Sequence, residues 1–454
     1  MKRLRLAAAV IAAKIIYMLC RMLGSRASAT PGKYARLICP DVTGMLAKQV
    51  RRQMIVVCGT NGKTTTNNLI NKTLMRAGFK TVCNSAGANM LNGIAAAFCK
   101  SATVLGTLKA DYACIEVDEA NLPLFFENAL PSVIVVTNLF RDQLDRYGEI
   151  DITAKLLEKS FDMAPDALFI LNADDPVTSS FGEGRKAVYY GTGGRTAVRG
   201  CDEIRDGGTC RRCGEELEYE YYLYGQIGKY RCPKCGYTNP KADYTAENIS
   251  IKDAVLRFDL VHAGRSFHAE SEVCGLYNVY NMLMAYAALD EVGADSSFIM
   301  GVLCAQKPEP GRMSRFCING KSVYLMLSKN PTGFNQSVTT VINDNRKKDV
   351  MVVLNDKPQD GEDISWIWDV DFETLYSCDA DSYTVTGDRR FDMYLRLKYA
   401  GYDEEKISVC DNISEAIQKM LSSEAKLCYV LVNYTATYPV YTALKELEKE
   451  SGKV

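Results

Sequence analysis

Gly59, Thr60, Asn61, Gly62, Lys63, Thr64 and Thr65 form a run whose residue types suit one task, holding the phosphates of a nucleotide. Two glycines let backbone N–H groups close around phosphate oxygens, and a helix N-terminus behind them adds positive potential. Lys63 can reach the β- and γ-phosphates, and the hydroxyl of Thr64 or Thr65 can hold Mg²⁺. The common form of this loop places its first glycine where this chain has Val57; here that glycine stands at position 59. Such a site also needs a carboxylate near the metal. Glu116 ends an apolar run, Ala113 to Val117, and is the natural candidate. Asp118 and Glu119 follow it and read equally well as solvated residues at a helix start.

A second constellation is Cys210-x-x-Cys213 and Cys232-x-x-Cys235, with 18 residues between the pairs and a glycine after each second cysteine. Two such knuckles supply a tetrahedral four-thiolate site, for which Zn²⁺ is the expected ion. The segment between them, Leu217 to Tyr230, alternates aromatic and charged residues as a small hairpin does. A ribbon of this size has too little core to fold without its metal, so the site reads as structural.

These residues need strands and helices to position them. Met54 to Cys58, ahead of the glycine loop, reads as a buried strand, and Asn67 to Met75, after it, has helical spacing. Apolar runs ending in polar residues recur at 113–117, 132–137 and 167–172, and again at 322–327, 349–354 and 427–432. This is the α/β pattern of a mostly parallel sheet, whose ligands bind beyond the carboxyl ends of the strands. Glu116, Asn138 and Asn172 all fall at such ends. Residues 1–50 read as a helical lead-in, 51–310 as a central nucleotide-binding unit interrupted by the ribbon at about 201–241, and 311–454 as a second α/β unit. Gly311-Arg312 is the expected hinge between the last two.

The chain has 454 residues, 54 Lys and Arg against 55 Asp and Glu, and 17 cysteines, several within apolar runs. That balance gives no bulk attraction to nucleic acid. Buried thiols and a nucleotide loop fit a reducing cytoplasm. Lys14 interrupts the apolar N-terminal run before it is long enough to span a bilayer. Residues 1–23 are expected to form an amphipathic helix that docks on the protein or rests on the inner face of the plasma membrane.

In this order the motifs resemble the Mur ligases, ATP-dependent amide ligases of peptidoglycan synthesis. The resemblance covers roughly residues 54 to 335: the loop Gly59 to Thr65, Glu116, the stretch Thr137 to Gly148, the Asn172-Ala173-Asp174-Asp175-Pro176 element, Gly275 to Asn281, and Gly311-Arg312. It implies that Asn138, Asp174, Asn278, Asn281 and Arg312 help bind ATP beside the loop residues. Asn278 and Asn281 lie one helical turn apart, a spacing that can read an adenine edge or simply cap a helix. The pattern departs from the family where Gln143 and Tyr277 replace histidines, and where Leu327-Ser328-Lys329-Asn330-Pro331 replaces the start of the family's C-terminal domain.

The cysteine ribbon, Val117-Asp118-Glu119-Ala120 and the run Asp360 to Asp369 are similar to one branch, the ligase-like MurT subunits of lipid II isoglutaminyl synthases. The resemblance implies a Mur ligase central domain with an inserted zinc ribbon and a C-terminal Rossmann-like domain. It implies amidation of the α-carboxyl of D-glutamate in the lipid II stem peptide, through an acyl phosphate. Lys63 and a Mg²⁺ held by Thr64 or Thr65 and Glu116 would carry the phosphoryl transfer. Ammonia would come from a GatD-type glutamine amidotransferase in a heterodimer, because this chain, with only two histidines, His262 and His268, offers no convincing glutaminase of its own. Asp360 or Asp363 would complete the partner's Cys-His site. Two rivals remain: an amino-acid-adding Mur or folylpolyglutamate-type ligase, and a zinc-ribbon nucleic-acid-binding NTPase.

Overall fold

The computed structural model describes residues 2–24, 27–84, 87–140, 150–196, 207–252, 255–273, 275–307, 312–361, 363–378 and 380–452. The first sheet has nine strands: β1 (Gln53–Cys58), β2 (Thr81–Cys83), β3 (Tyr112–Glu116), β4 (Val133–Val136), β5 (Leu168–Asn172), β6 (Ala187–Thr192), β9 (Tyr244–Lys252), β10 (Val255–His262) and β11 (Arg265–Ser271). Their order is β11-β10-β9-β6-β5-β4-β1-β3-β2, with β2 through β6 and β9 parallel to their neighbours and β9-β10-β11 antiparallel. β1 lies between β3 and β4. The chain winds outward on both sides of it, so the crevice beyond β1 is the topological switch point, where ligands of such sheets sit.

β1 is apolar throughout because both faces are covered. Ile55 and Val57 pack on one side with Leu69, Ile70 and the helix Leu276–Glu291, and Met54, Val56 and Cys58 pack on the other with Ile94, Phe98 and Leu122. Successive side chains of a strand point to opposite faces, so the run must be apolar at every position. On the second side, the helices Lys2–Met22, Thr30–Ile38 and Leu91–Ser101 form one layer. Gly32 permits it: a Cβ there would lie 1.8 Å from Asn92 O. The expected N-terminal helix thus docks on the protein through Leu6, Ala9, Val10 and Ala13, and no helix among the described residues is long and apolar enough to cross a membrane.

Between β6 and β9 stands the hairpin of β7 (Glu218–Tyr224) and β8 (Ile227–Arg231), paired antiparallel. The second sheet has the order β12-β13-β17-β14-β15-β16: β12 (Arg312–Ile318), β13 (Lys321–Leu327), β14 (Lys348–Val353), β15 (Ala380–Thr386), β16 (Ile407–Val409) and β17 (Leu427–Val432). All but the β12–β13 pair are parallel. Gly311 lies outside the described residues, and Arg312 opens β12.

The loop after β14 is held from behind by Arg396, whose side chain is almost fully buried. Its guanidinium donates to Ile367 O (3.1 Å) and Val370 O (2.7 Å), pairs with both oxygens of Glu373 (2.9 and 2.7 Å), and lies over the rings of Trp368 and Phe372. A planar fork with several donors can do this; Lys and Met cannot. Arg396→Met should lower stability by about 2–3 kcal/mol, since two buried carbonyls lose their donors. Urea unfolding checks it; a change below about 0.5 kcal/mol, the range of an ordinary surface substitution, would show that the clamp holds nothing.

Candidate functional site

The glycine loop leaves β1 and turns into the helix Lys63–Arg76. Gly59 and Gly62 have φ of 112° and 88°, which disfavour side chains, and their surroundings forbid one. A Cβ on Gly59 would sit 2.3 Å from Thr137 Oγ1, and one on Gly62 would sit 2.2 Å from Asn281 Oδ1. Asn138, at the end of β4, fixes the loop: its Oδ1 accepts from Asn61 N (2.9 Å), its Nδ2 donates to Asn61 O (3.2 Å), and its backbone O accepts from Thr60 N (2.7 Å). Thr60 Oγ1 also exchanges hydrogen bonds with Phe140. The remainder of the expected element, Arg141 to Gly148, lies outside the described residues.

Lys63 is buried, and its ammonium donates to Gly59 O, to Thr60 O (3.2 Å) and to Glu119 Oε1 (2.8 Å). Of the two readings open for Asp118 and Glu119, the solvated one does not hold: both are buried. A short 3₁₀ turn, Glu119–Asn121, capped by Asp118 through Ala120 N (3.2 Å), turns Glu119 inward. Burial pushes the Glu119 carboxyl above its usual range, while the neighbouring Lys63 pulls it back. An unpaired ammonium in this place would be costly, and the carboxylate offsets it.

Glu116 ends β3 and is buried. Its Oε1 accepts from Asn89 Nδ2 (3.1 Å), and its Oε2 has no hydrogen-bond partner among the described residues. A buried carboxylate oxygen without a partner fits a bound cation, and hard oxygen donors suit Mg²⁺. Thr64, at the start of the loop helix, lies on the same side: a Cβ on Gly87, in the loop carrying Asn84 and Asn89, would be 3.5 Å from Thr64 Oγ1. Asn84 brackets the Glu116 backbone, accepting from its N (2.9 Å) and donating to its O (2.7 Å). No motif marks Asn84 and Asn89; their sequence signal is a polar stretch directly after β2, at a strand end.

Asn278 and Asn281 stand behind the loop. Asn281 Nδ2 donates to Asn278 Oδ1 (3.0 Å), and Asn281 Oδ1 accepts from Thr66 Oγ1 (3.4 Å). Neither caps its helix, whose N-terminus at Gly275 has no side-chain cap; both are buried, and Asn281 braces the loop with Asn278 behind it. Asp174 is likewise enclosed, accepting from Thr192 N (2.7 Å), Thr192 Oγ1 (3.1 Å) and Tyr280 O–H (2.8 Å). Burial lifts its carboxyl to about 6 against those hydrogen bonds. It ties β5 to β6, and its backbone O accepts from Gly228 N of the hairpin (2.8 Å).

The four sulfurs of Cys210, Cys213, Cys232 and Cys235 lie within 4.8 Å of one another. Gly214 and Gly236, both at φ 74°, close the two knuckles with N–H bonds to Cys210 O (2.8 Å) and Cys232 O (3.0 Å). Sulfurs around a tetrahedral Zn²⁺ with bonds of about 2.3 Å stand about 3.8 Å apart, so the set fits that ion. The ribbon is docked as well as folded. Ser179 Oγ meets both Tyr230 O–H and Tyr237 O–H at 2.7 Å, Asn239 Nδ2 donates to Ala173 O (3.1 Å), and Gln226 Nε2 donates to Leu139 O (2.6 Å). The ribbon therefore braces the segments that follow β4 and β5.

The segment after β13 meets the loop through Asn330. Asn61 and Asn330 exchange side-chain hydrogen bonds of 3.3 and 3.1 Å, and Asn330 caps the helix Pro331–Ile342 through Gly333 N (2.8 Å). Asp360 and Asp363 lie apart from the glycine loop, in the segment after β14. Asp360 is buried, with Oδ1 accepting from Thr435 N (2.8 Å) and Oδ2 from Thr435 Oγ1, at the start of the helix Tyr434–Ser451. Asp363 is exposed, and hydrogen bonds from Ser365 N (2.8 Å) and Oγ (3.0 Å) hold its carboxyl below the usual range.

Comparison with known proteins agrees with this geometry. Residues 57–230 match the Mur ligase middle domain, and residues 327–437 match the MurT ligase C-terminal domain. The chain is 34% identical over 437 residues to the lipid II isoglutaminyl synthase (glutamine-hydrolyzing) subunit MurT of Staphylococcus aureus, covering 96% of this chain and 97% of that protein. It is 32% identical over 415 residues to the subunit of the same name from Streptococcus pneumoniae, covering 90% and 91%. Among solved structures, a pseudomurein peptide ligase type C from Methanothermus fervidus superposes with a TM-score of 0.67 at 23% identity, over 88% of this chain and 80% of that one. MurF from Acinetobacter baumannii gives 0.66 at 17% identity, over 91% and 80%. The fold is that of the Mur ligases, and the chain belongs to the MurT family of ligase subunits.

Proposed function

We propose that this chain activates the α-carboxyl of D-glutamate in the lipid II stem peptide for amidation to D-isoglutamine. The carrying observation is the loop at the end of β1, with buried Lys63 beside it and the half-partnered Glu116 across from it. A carboxylate is a poor acyl donor, because its carbonyl is electron-rich and its leaving group would be oxide. Attack of one carboxylate oxygen on the γ-phosphorus of ATP expels ADP and gives an acyl phosphate. Ammonia then attacks the acyl carbon, phosphate leaves with the transferred oxygen, and the ammonium proton passes to solvent. Lys63 binds and orients the phosphates, and loop N–H groups stabilise the charge on the transferring group. Glu116 with Thr64 or Thr65 would hold Mg²⁺, which neutralises phosphate charge when bound. Asn138 and Asn281 keep the loop's shape; Asn278, Asp174 and Arg312 belong to the proposed ATP site.

An ammonia nucleophile accounts for the lost acceptor motif at Leu327 to Pro331, since no amino acid has to be held. It is also the reason to prefer this reading over amino-acid addition. The ammonia source is proposed to be a GatD-type amidotransferase bound as a heterodimer in the cytoplasm, at the inner face of the plasma membrane. Asp363, exposed and ionised, is the residue offered to the partner's Cys-His site; Asp360 positions its loop through Thr435. With the partner present, Asp363→Asn should cut glutamine-dependent amidation at least a hundredfold, the scale of misorienting a catalytic histidine, and leave ammonia-driven ATP turnover within about twofold. Asp360→Asn should lower stability and affect both nitrogen sources alike. Glutamine use unchanged in Asp363→Asn would remove the shared-site idea. If added ammonia supports no ATP turnover while an amino acid does, the amidation reading fails.

The cysteine ribbon is proposed to hold Zn²⁺ as a structural ion. Its own core is Leu217, Tyr230 and Tyr237 with two of the cysteines, too little to fold alone. Chelation, or Cys232→Ser, should release zinc and lower the thermal midpoint by several degrees. It should also weaken ATP binding, because the ribbon braces the segments after β4 and β5. A protein purified without zinc and equally stable would contradict this.

A further inference from the structure

We infer that the outer face of the N-terminal helix Lys2–Met22 is a docking surface for a bilayer containing anionic phospholipid. This goes beyond the proposed reaction and rests on the helix alone. The helix has two apolar faces. Leu6, Ala9, Val10 and Ala13 are buried against the protein. At about 100° per residue, Leu4, Ile11, Ile15, Met18 and Met22 fall within roughly 60° of one another on the opposite side. They are exposed, from 42% at Ile11 to 82% at Met22. A soluble surface helix would carry polar residues there.

One border of that stripe is basic. Arg3, Lys14 and Arg21 lie on a single line along the helix, within roughly 20°. Lys14 Nζ reaches Lys100 O at 3.1 Å, while Arg3 and Arg21 are exposed. Across residues 1–40 the sequence has eight Lys and Arg and no Asp or Glu, although the whole chain is balanced at 54 against 55. An apolar stripe edged by cations, on a helix too interrupted to span, is the arrangement that lies in a lipid interface: apolar residues enter the acyl boundary and long basic side chains reach the phosphates. A second copy of this chain is a poor occupant, because a two-fold contact would set this cationic surface against itself. Anionic lipid supplies the charge complement that a zwitterionic surface lacks.

The test is co-sedimentation of the full chain with vesicles of phosphatidylcholine alone and of phosphatidylcholine mixed with phosphatidylglycerol. No nucleotide or lipid-linked peptide is present, so failure of the proposed reaction would not affect the result. The chain should pellet with the mixed vesicles, and high salt should release it. Ile15→Glu/Met18→Glu should abolish binding with an unchanged thermal midpoint, since both side chains already face solvent. Arg3→Glu/Arg21→Glu, which leaves the apolar stripe intact, should weaken it on the order of 25-fold, at roughly fivefold per basic contact. No binding to mixed vesicles, or equal and salt-independent binding to both kinds, would overturn the inference. So would a dimer in light scattering that Ile15→Glu/Met18→Glu dissolves without changing vesicle binding.

Discussion

A buried ammonium must be neutralised, and that requirement organises the centre of this molecule. Lys63 leaves water at the start of the loop helix and finds Glu119 and two loop carbonyls. Such a pair contributes little net stability, because each charge is desolvated to make it, but removing one partner strands the other. The pair therefore holds a cation at the glycine loop, where the proposed reaction would place phosphate charge. Nucleotide phosphates would offer Lys63 a stronger anionic partner than one carboxylate whose own ionisation burial already disfavours.

The surrounding structure keeps that place from relaxing. Gly59 and Gly62 bring backbone against Thr137, Asn138 and Asn281 at distances no side chain tolerates. Asn138 reproduces a backbone ladder with its side-chain amide, and the ribbon holds the segment after β4 through Gln226. The Asn61–Asn330 exchange then connects the loop to the second sheet. The cysteine ribbon and the second sheet thus connect to the glycine loop through one series of hydrogen bonds.

Much of this was legible in the sequence, for identifiable reasons. Strands buried on both faces read as unbroken apolar runs, so β1, β3, β5, β14 and β17 fall within a residue of their expected bounds. The cysteine knuckles were legible because a Cys-x-x-Cys-Gly turn fixes spacing and residue type together. The orientation of Glu119 was not: after Asp118 it reads as solvated or inward-facing alike, and the turn Glu119–Asn121 is what rotates it inward. Asn84 and Asn89 sit in a polar loop that no periodicity marks. The contact of Ser179 with Tyr230 and Tyr237 joins positions over fifty residues apart, and the different surroundings of Asp360 and Asp363 depend on Thr435, which follows β17, the strand beside β14, and hydrogen-bonds Asp360 alone of the two.

The central claim is that the loop at Lys63 moves a phosphoryl group onto a carboxylate. Its most direct test uses lipid II whose D-glutamate α-carboxyl carries heavy oxygen, incubated with the complex, ATP and ammonia, with the released inorganic phosphate analysed by mass. The account predicts one heavy oxygen in each phosphate formed, matched to each amide made. Phosphate free of the label, with amide still produced, would contradict it.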